Sequence, residues 1–139
     1  TEDRAIVRRH LAERDGWGFE TIEQGRQLPK ALKWVSPAGT VLFDSITACL
    51  ACQMFSGPEL DGEAPRRTAE ELLVISRHPA HFVCVCDELW RDGVTYETWT
   101  ETYRRGLADI CRTLAAEFDA VAELSAGRVR MWKGELPDA

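Results

Sequence analysis

Residues 33–45 read KWVSPAGTVLFDS, with aromatic and β-branched residues on both sides of a turn-forming centre. Those residue types favour a pleated, half-buried surface. Pro37 presets φ for the first central position of the turn, and Gly39 accepts a positive φ without steric cost. The stretch therefore predicts a β-hairpin that ends near Asp44.

Ser45 follows this hairpin and is well placed to cap a helix, because its hydroxyl accepts from a backbone N–H of the first turn. Apolar residues then recur at spacings of three and four, which is typical of an amphipathic helix. They are Ile46, Cys49, Leu50 and Met54. With a further strand predicted over 19–23, this indicates an antiparallel sheet over about 18–44 with a helix packed on it.

The rest of the chain has helical periodicity. Thr68 and Glu71 have the spacing of a capping box, and Pro79 suits the first turn of another helix, which would run through Phe82 to Trp90. Apolar residues from Trp99 to Leu124 repeat every three or four positions, so we expect one long helix over about 97–124. The predicted fold class is α+β: a small antiparallel sheet and its helix, surrounded by further helices, including this long C-terminal one.

The length of 139 residues predicts one domain over 1–139. Within it we expect a sheet–helix unit over 16–57, a helical part over 68–124 and a tail over 125–139. The tail holds Val129, Met131 and Trp132 and is able to add a strand. No apolar run approaches the roughly 18 residues of a membrane span, so no membrane association is predicted.

Residues 16–54 resemble the methyl-CpG-binding domain and its wider TAM/MBD-like relatives. The matching features are Gly16-Trp17, the turn over 36–39, and Phe43 followed two residues later by Ser45. The two arginines with which that family reads guanine correspond to Phe19 and Asp44 here. The resemblance therefore implies an MBD-like fold over 16–57, in a nuclear, chromatin-associated protein, that has lost methyl-CpG reading.

From this resemblance, the leading functional hypothesis is a non-catalytic protein-interaction module of a chromatin or nucleic-acid-associated assembly. Tryptophan and arginine are enriched at interface hot spots. The residues predicted to contact a protein partner are Lys33 and Trp34 in the sheet unit and Arg130 and Trp132 in the tail.

A first alternative is weak, sequence-independent binding of DNA or RNA through Arg26, Lys30 and Lys33. Phosphate neutralisation supplies most of the affinity in such binding. The net charge of the chain is −6, and no segment concentrates basic residues on one face. The sequence therefore predicts that any nucleic-acid binding is weak.

A second alternative is a zinc-stabilised module that uses His78, His81, Cys84 and Cys86. These residues supply the four N or S donors that zinc prefers. On the helix predicted there, however, Cys84 and Cys86 would point about 200° apart. The favoured prediction is therefore that no metal is bound. The five cysteines, an odd number in a chain of this size, indicate an intracellular reducing compartment.

Enzyme signatures are missing from the sequence. It contains no Gly-x-Ser-x-Gly elbow, no Gly-x4-Gly-Lys-Ser/Thr loop and no dinucleotide fingerprint. Adjacent carboxylates such as Glu70 and Glu71 do not face each other on a helix. The sequence thus predicts a protein that is not an enzyme, with no cofactor and no evident small-molecule substrate.

Overall fold

The computed structural model describes residues 2–137 of the chain. Helices and small sheets are mixed in it, which confirms the α+β class. In chain order the elements are α1 (Glu2–Glu13), a 3₁₀ helix (Leu28–Trp34), β1 (Thr40–Asp44), α2 (Ile46–Phe55), α3 (Ala64–Ser76), β2 (His81–Val85), α4 (Thr98–Glu117), β3 (Val121–Ser125) and β4 (Arg128–Lys133).

The strands form two separate pairs. β1 and β2 are parallel, in a register that runs from Thr40 opposite His81 to Asp44 opposite Val85, and α2 and α3 form the crossover that parallel strands require. β3 and β4 are antiparallel. Their tight turn places Ala126 at φ 49° and so at a positive φ.

The antiparallel sheet predicted over about 18–44 is wrong. Residues 19–23 form no strand, and the segment predicted as the first hairpin strand ends a 3₁₀ helix. Leu28 is buried in the core, and its backbone N–H donates to the Glu71 carboxylate at 3.0 Å. These contacts hold the segment against α3, so β1 pairs with β2 instead. The predicted turn is confirmed, because the Gly39 N–H donates to the Ser36 carbonyl at 3.0 Å.

The helical predictions are confirmed in part. The Ser45 hydroxyl accepts from the Ala48 N–H at 3.2 Å and caps α2 as expected. α3 begins at Ala64, earlier than the capping box, with Pro65 in its first turn and Thr68 fully buried. The long C-terminal helix exists, but it ends at Glu117, and the chain then turns into β3.

The helix predicted after Pro79 is wrong, because this segment forms β2. Side chains along β2 alternate between the exposed and the core-facing side, with Phe82 and Cys84 on the inner side. The apolar residues there satisfy the strand period of two as well as the helical period. The tail strand is confirmed as β4.

One hydrophobic core joins the 3₁₀ helix to α2, α3 and α4, and it includes the fully buried residues Leu28, Leu50, Met54, Leu72 and Leu107. The segments predicted as a sheet–helix unit and a helical part therefore share a core. Phe43 and Phe82 cover it from the β1–β2 pair, with their ring centroids 6.4 Å apart. On the opposite face of this pair, the apolar side chains Leu42, Val83 and Val85 are exposed.

None of the helices described in residues 2–137 is both long and apolar enough to cross a bilayer. All five cysteines are free thiols.

Candidate functional site

The carboxyl ends of β1 and β2 lie at the same edge of the sheet, because the two strands are parallel. Ligands bind beyond the carboxyl ends of the strands in open α/β sheets. Residues from three parts of the chain meet at this edge. We call them the carboxyl-edge site, which consists of Arg14, Asp44, Thr47, Cys86 and Asp87.

Asp44 is the last residue of β1, and its carboxylate forms an ion pair with Arg14. The Nη2–Oδ2 distance is 2.5 Å, and the two side chains are 32% and 45% exposed for Arg14 and Asp44 respectively. Arg14 directly follows α1, and its N–H donates to the His10 carbonyl at 3.2 Å. The end of α1 is thereby connected to the carboxyl end of β1.

Thr47, in the first turn of α2, connects the other parts of the site. Its hydroxyl accepts from the Asp87 N–H at 2.9 Å and lies 3.8 Å from the Cys86 sulfur. Its carbonyl accepts from the Tyr103 hydroxyl of α4 at 2.8 Å. The start of α2, the end of β2 and one face of α4 are therefore held together by polar contacts.

The thiols near this edge differ in acidity. A hydrogen bond from Cys111 lowers the pKa of the Cys86 thiol, against the opposing effect of burial. Burial raises the pKa of Cys84 to about 11. Cys86, which directly follows β2, is therefore the more readily ionised of these two thiols, and the thiolate is the reactive form.

His10 lies one helical turn before Arg14. Its imidazole is exposed, and its Nδ1 is 3.5 Å from the Glu13 carboxylate. The Glu13 carboxylate lies on the Nδ1 side of the ring, and an exposed imidazole is able to act as a nucleophile through its other nitrogen. His10 lies on α1, and Arg14, which directly follows α1, pairs with Asp44.

A cavity of about 280 Å³ runs along β1, between residues 39–43 and the segment 18–36. Its lining is largely apolar and includes Phe19, Leu28 and Trp34. The cavity reaches Phe43, the residue before Asp44.

The residues predicted to bind a protein partner form two cation–π pairs on different elements. The Lys33 ammonium lies 5.0 Å from the Trp34 ring at the end of the 3₁₀ helix, and the Arg130 guanidinium lies 3.9 Å from the Trp132 ring on β4. Trp132 also donates its indole N–H to the Glu123 carboxylate at 2.8 Å. Neither pair is part of the carboxyl-edge site.

The basic residues of the nucleic-acid alternative lie along one short segment. Arg26 donates to the Cys52 carbonyl at 3.3 Å, and Lys30 and Lys33 are exposed on the 3₁₀ helix. They too are outside the carboxyl-edge site.

The residues of the zinc alternative do not converge. His78 already forms a hydrogen bond, because its Nε2 lies 3.0 Å from the Val35 carbonyl oxygen. Because this segment is a strand, Cys84 and the following Cys86 face the same side and His81 faces the other, contrary to the helical geometry predicted. No three or more His, Cys, Asp or Glu residues within 2–137 are arranged to hold a metal ion.

Sequence reasoning noticed Asp44 but assigned it to a DNA-reading position, and it missed Arg14, Thr47 and Asp87. The available signal was an apolar strand that ends in an aspartate and leads directly into a capped helix. The end of β2 was missed because that segment was predicted to be helical.

A family model described as cobinamide kinase / cobinamide phosphate guanyltransferase (CobU) matches residues 1–131. None of the curated proteins matches the chain. Because the family match covers most of its length, the chain belongs to the CobU family.

Family membership corrects several predictions. The MBD-like assignment of 16–57 is wrong, as are the chromatin-associated, nuclear and non-enzymatic assignments based on it, because CobU proteins are enzymes. The prediction of no evident small-molecule substrate is also wrong, since the family acts on cobinamide. The protein-partner, nucleic-acid and zinc-module hypotheses have no support. The matching MBD motifs were short: the turn over 36–39 and Phe43-x-Ser45 suit any strand that leads into a capped helix, and Gly16-Trp17 is a dipeptide in the turn after α1.

Proposed function

Because the chain belongs to the CobU family, we propose that it takes part in phosphorylating cobinamide and in transferring a guanylyl group to cobinamide phosphate. The observation that carries this proposal is the carboxyl-edge site, where Asp44 ends a parallel strand beside Arg14 and the first turn of α2. An exposed carboxylate, an arginine and a helix N-terminus are the groups that phosphate chemistry uses.

Asp44 is suited to a divalent cation that is shared with substrate phosphates. Mg²⁺ usually binds one or two carboxylates together with phosphate oxygens and water. Within residues 2–137 no larger cluster of ligands is arranged for an ion, so a single carboxylate plus phosphates fits this site better than an all-protein cage. When bound, the cation neutralises the charge that develops on a transferring phosphoryl group.

The Gly-x4-Gly-Lys-Ser/Thr loop, whose backbone cradles phosphates in P-loop proteins, does not occur in the 139 residues. Support for phosphate binding therefore comes from Asp44, Arg14 and α2. The first turn of α2 begins next to Asp44, and the positive end of a helix dipole favours a phosphate there.

His10 is our candidate for the group that accepts guanylate. Its Nε2 would attack the α-phosphorus of GTP, the bond to the bridging oxygen would break, and pyrophosphate would leave. A phosphate oxygen of cobinamide phosphate would then displace the imidazole. The exposure of His10 and the position of Glu13 at its Nδ1 support this role.

The test is to incubate the full chain with Mg²⁺ and GTP labelled at the α-phosphate, and then to follow protein-bound label and cobinamide products. We expect His10→Ala to lose the protein-bound label. Asp44→Asn should slow both transfers by at least about 100-fold, since the cation contributes several kcal/mol of charge stabilisation.

The matched controls are His81→Ala and Asp119→Asn, which change an exposed histidine at the amino end of β2 and an exposed aspartate after α4. Both controls should retain both transfers. Label that persists in His10→Ala would exclude His10 as the acceptor. An Asp44→Asn chain that is as active as Asp119→Asn would contradict the proposed site.

A further inference from the structure

Arg14 is paired with the Asp44 carboxylate, the group that the proposed function assigns to a cation–phosphate complex. In this structure Asp44 Oδ2 accepts from the guanidinium at 2.5 Å. One carboxylate oxygen is thus engaged by a positive charge that belongs to the protein. A cation that binds Asp44 therefore competes with Arg14.

This ion pair is easily opened. Both side chains are partly exposed, and pairs of this kind contribute little net stability because solvent screens them and two side chains lose rotamer freedom. Arg14 lies just beyond the last residue of α1, so its side chain changes partner without the loss of hydrogen bonds in the interior of the helix.

Once it is released from Asp44, the Arg14 guanidinium would lie beside the phosphates of the bound nucleotide. Arginine binds phosphate oxygens through two parallel N–H donors, and its charge does not titrate away. Other arginines of this region have different neighbours: Arg9 lies 3.7 Å from the Glu13 carboxylate, and Arg26 donates to a backbone carbonyl. Of these three arginines, Arg14 is the one that pairs with Asp44, the proposed cation ligand.

We infer that Arg14 exchanges partners during the reaction, neutralising Asp44 when the site is empty and binding a substrate phosphate when the nucleotide is loaded. Because the Arg14 N–H donates to the His10 carbonyl, the exchange takes place one helical turn from His10. This inference rests on the proposed function.

The test compares two binding reactions of the full chain: Mn²⁺ alone, followed by electron paramagnetic resonance, and the Mn²⁺ complex of GTP, followed by calorimetry. Arg14→Ala should raise the affinity for Mn²⁺ alone by about threefold, because the competing ion pair is gone. It should lower the affinity for the GTP complex by about tenfold or more, because a charged hydrogen bond to phosphate is lost.

Arg14→Lys should fall between the wild type and Arg14→Ala in both reactions, since a lysine keeps the charge but not the two-donor fork. Arg9→Ala is the matched control and should change neither affinity. The two opposite changes separate partner exchange from a structural role, which would leave both affinities unchanged or lower both of them. Either of those results, in a variant whose circular dichroism matches the wild type, overturns the inference.

The proposed function and this inference fail differently. A wild-type chain that binds no GTP complex would contradict both. A wild-type chain that binds the complex, with Arg14→Ala binding it equally well, would contradict partner exchange alone.

Discussion

Arg104 shows how a single buried charge determines the conformation of a long loop. Its side chain is only 9% exposed, and it donates to the Leu89 and Val94 carbonyls at 2.6 and 2.9 Å. It also pairs with Asp92 and Glu101, each at 2.7 Å. These contacts hold the irregular segment after β2 against α4.

The carboxylates around Arg104 predict how stability depends on pH. A hydrogen bond from the Tyr96 hydroxyl is the main cause that lowers the pKa of Asp92, and the Tyr96 backbone N–H is the main cause that lowers the pKa of Glu101. Because both native pKa values are lower than in the unfolded chain, the stabilisation is complete above the ordinary carboxyl pKa of about 4. It is lost as the pH falls through the lowered native values.

We therefore expect Arg104→Met to lower the free energy of unfolding by about 2–3 kcal/mol at pH 7, because the hydrogen bonds that the buried guanidinium donates to two carbonyls and two carboxylates are lost. The difference from the wild type should shrink below about pH 4, where the carboxylates become protonated. Urea unfolding at several pH values measures both effects. Arg105→Met, which changes the exposed neighbour of Arg104, is the control. An equal loss in the two variants would show that the network does not stabilise the fold.

At the level of elements, the packing of α3 on α4 depends on a glycine in the middle of a helix. A Cβ added at Gly106 would lie 2.6 Å from Cγ of Pro65 and 3.4 Å from Cδ2 of Leu50. The absence of a side chain allows α4 to approach the start of α3 closely. Tertiary packing thus overrides the cost of about 1 kcal/mol that glycine carries in a helix interior.

This close approach predicts that Gly106→Ala is destabilising, although alanine is the better helix former. We expect a loss of about 1–3 kcal/mol, the usual effect of overpacking a core, because the Pro65 ring has little freedom to move. Thermal unfolding followed by circular dichroism measures it. Gly62→Ala is the matched control, since a Cβ there meets no atom within 4 Å and φ is not positive. A stabilised Gly106→Ala variant would contradict the packing seen here.

Helix caps, turns and helical periodicity depend on neighbouring residues, whereas the point at which a helix ends also depends on tertiary packing. The Ser45 cap, the 36–39 turn and the helical periodicity around Leu107 were all predicted correctly, because each depends on residues a few positions apart. The end of α4 at Glu117 was not predicted, because Phe118 and Val121 continue the helical spacing of apolar residues. Phe118 instead packs against Phe82 of β2, with the ring centroids 6.0 Å apart.

For the whole molecule, the distribution of buried residues predicts which parts open first. Leu50 of α2, Leu72 of α3 and Leu107 of α4 are completely buried. By contrast, Ile6 and Leu11 of α1 are each 41% exposed, and most side chains of β4 face solvent.

Hydrogen exchange should therefore be slowest for backbone amides in the middle of α2, α3 and α4, and faster by orders of magnitude in α1 and the β3–β4 hairpin, because local opening there exposes little apolar surface. Exchange followed by mass spectrometry of peptides measures this order. Equal protection of α1 and α3 would contradict the described core.

The amino-acid sequence by itself determined the local features of this protein: the mixture of helix and strand, the capped start of α2, the turn before β1 and most of α4. These features depend on side-chain period and on hydrogen bonds between near neighbours. Only the tertiary structure decided that β1 pairs in parallel with β2 across two intervening helices, and that Arg14 lies against Asp44. Burial of Leu28 and the apolar faces of α2 and α3 brings these distant segments together, and the spacing of residues along the chain does not encode such contacts.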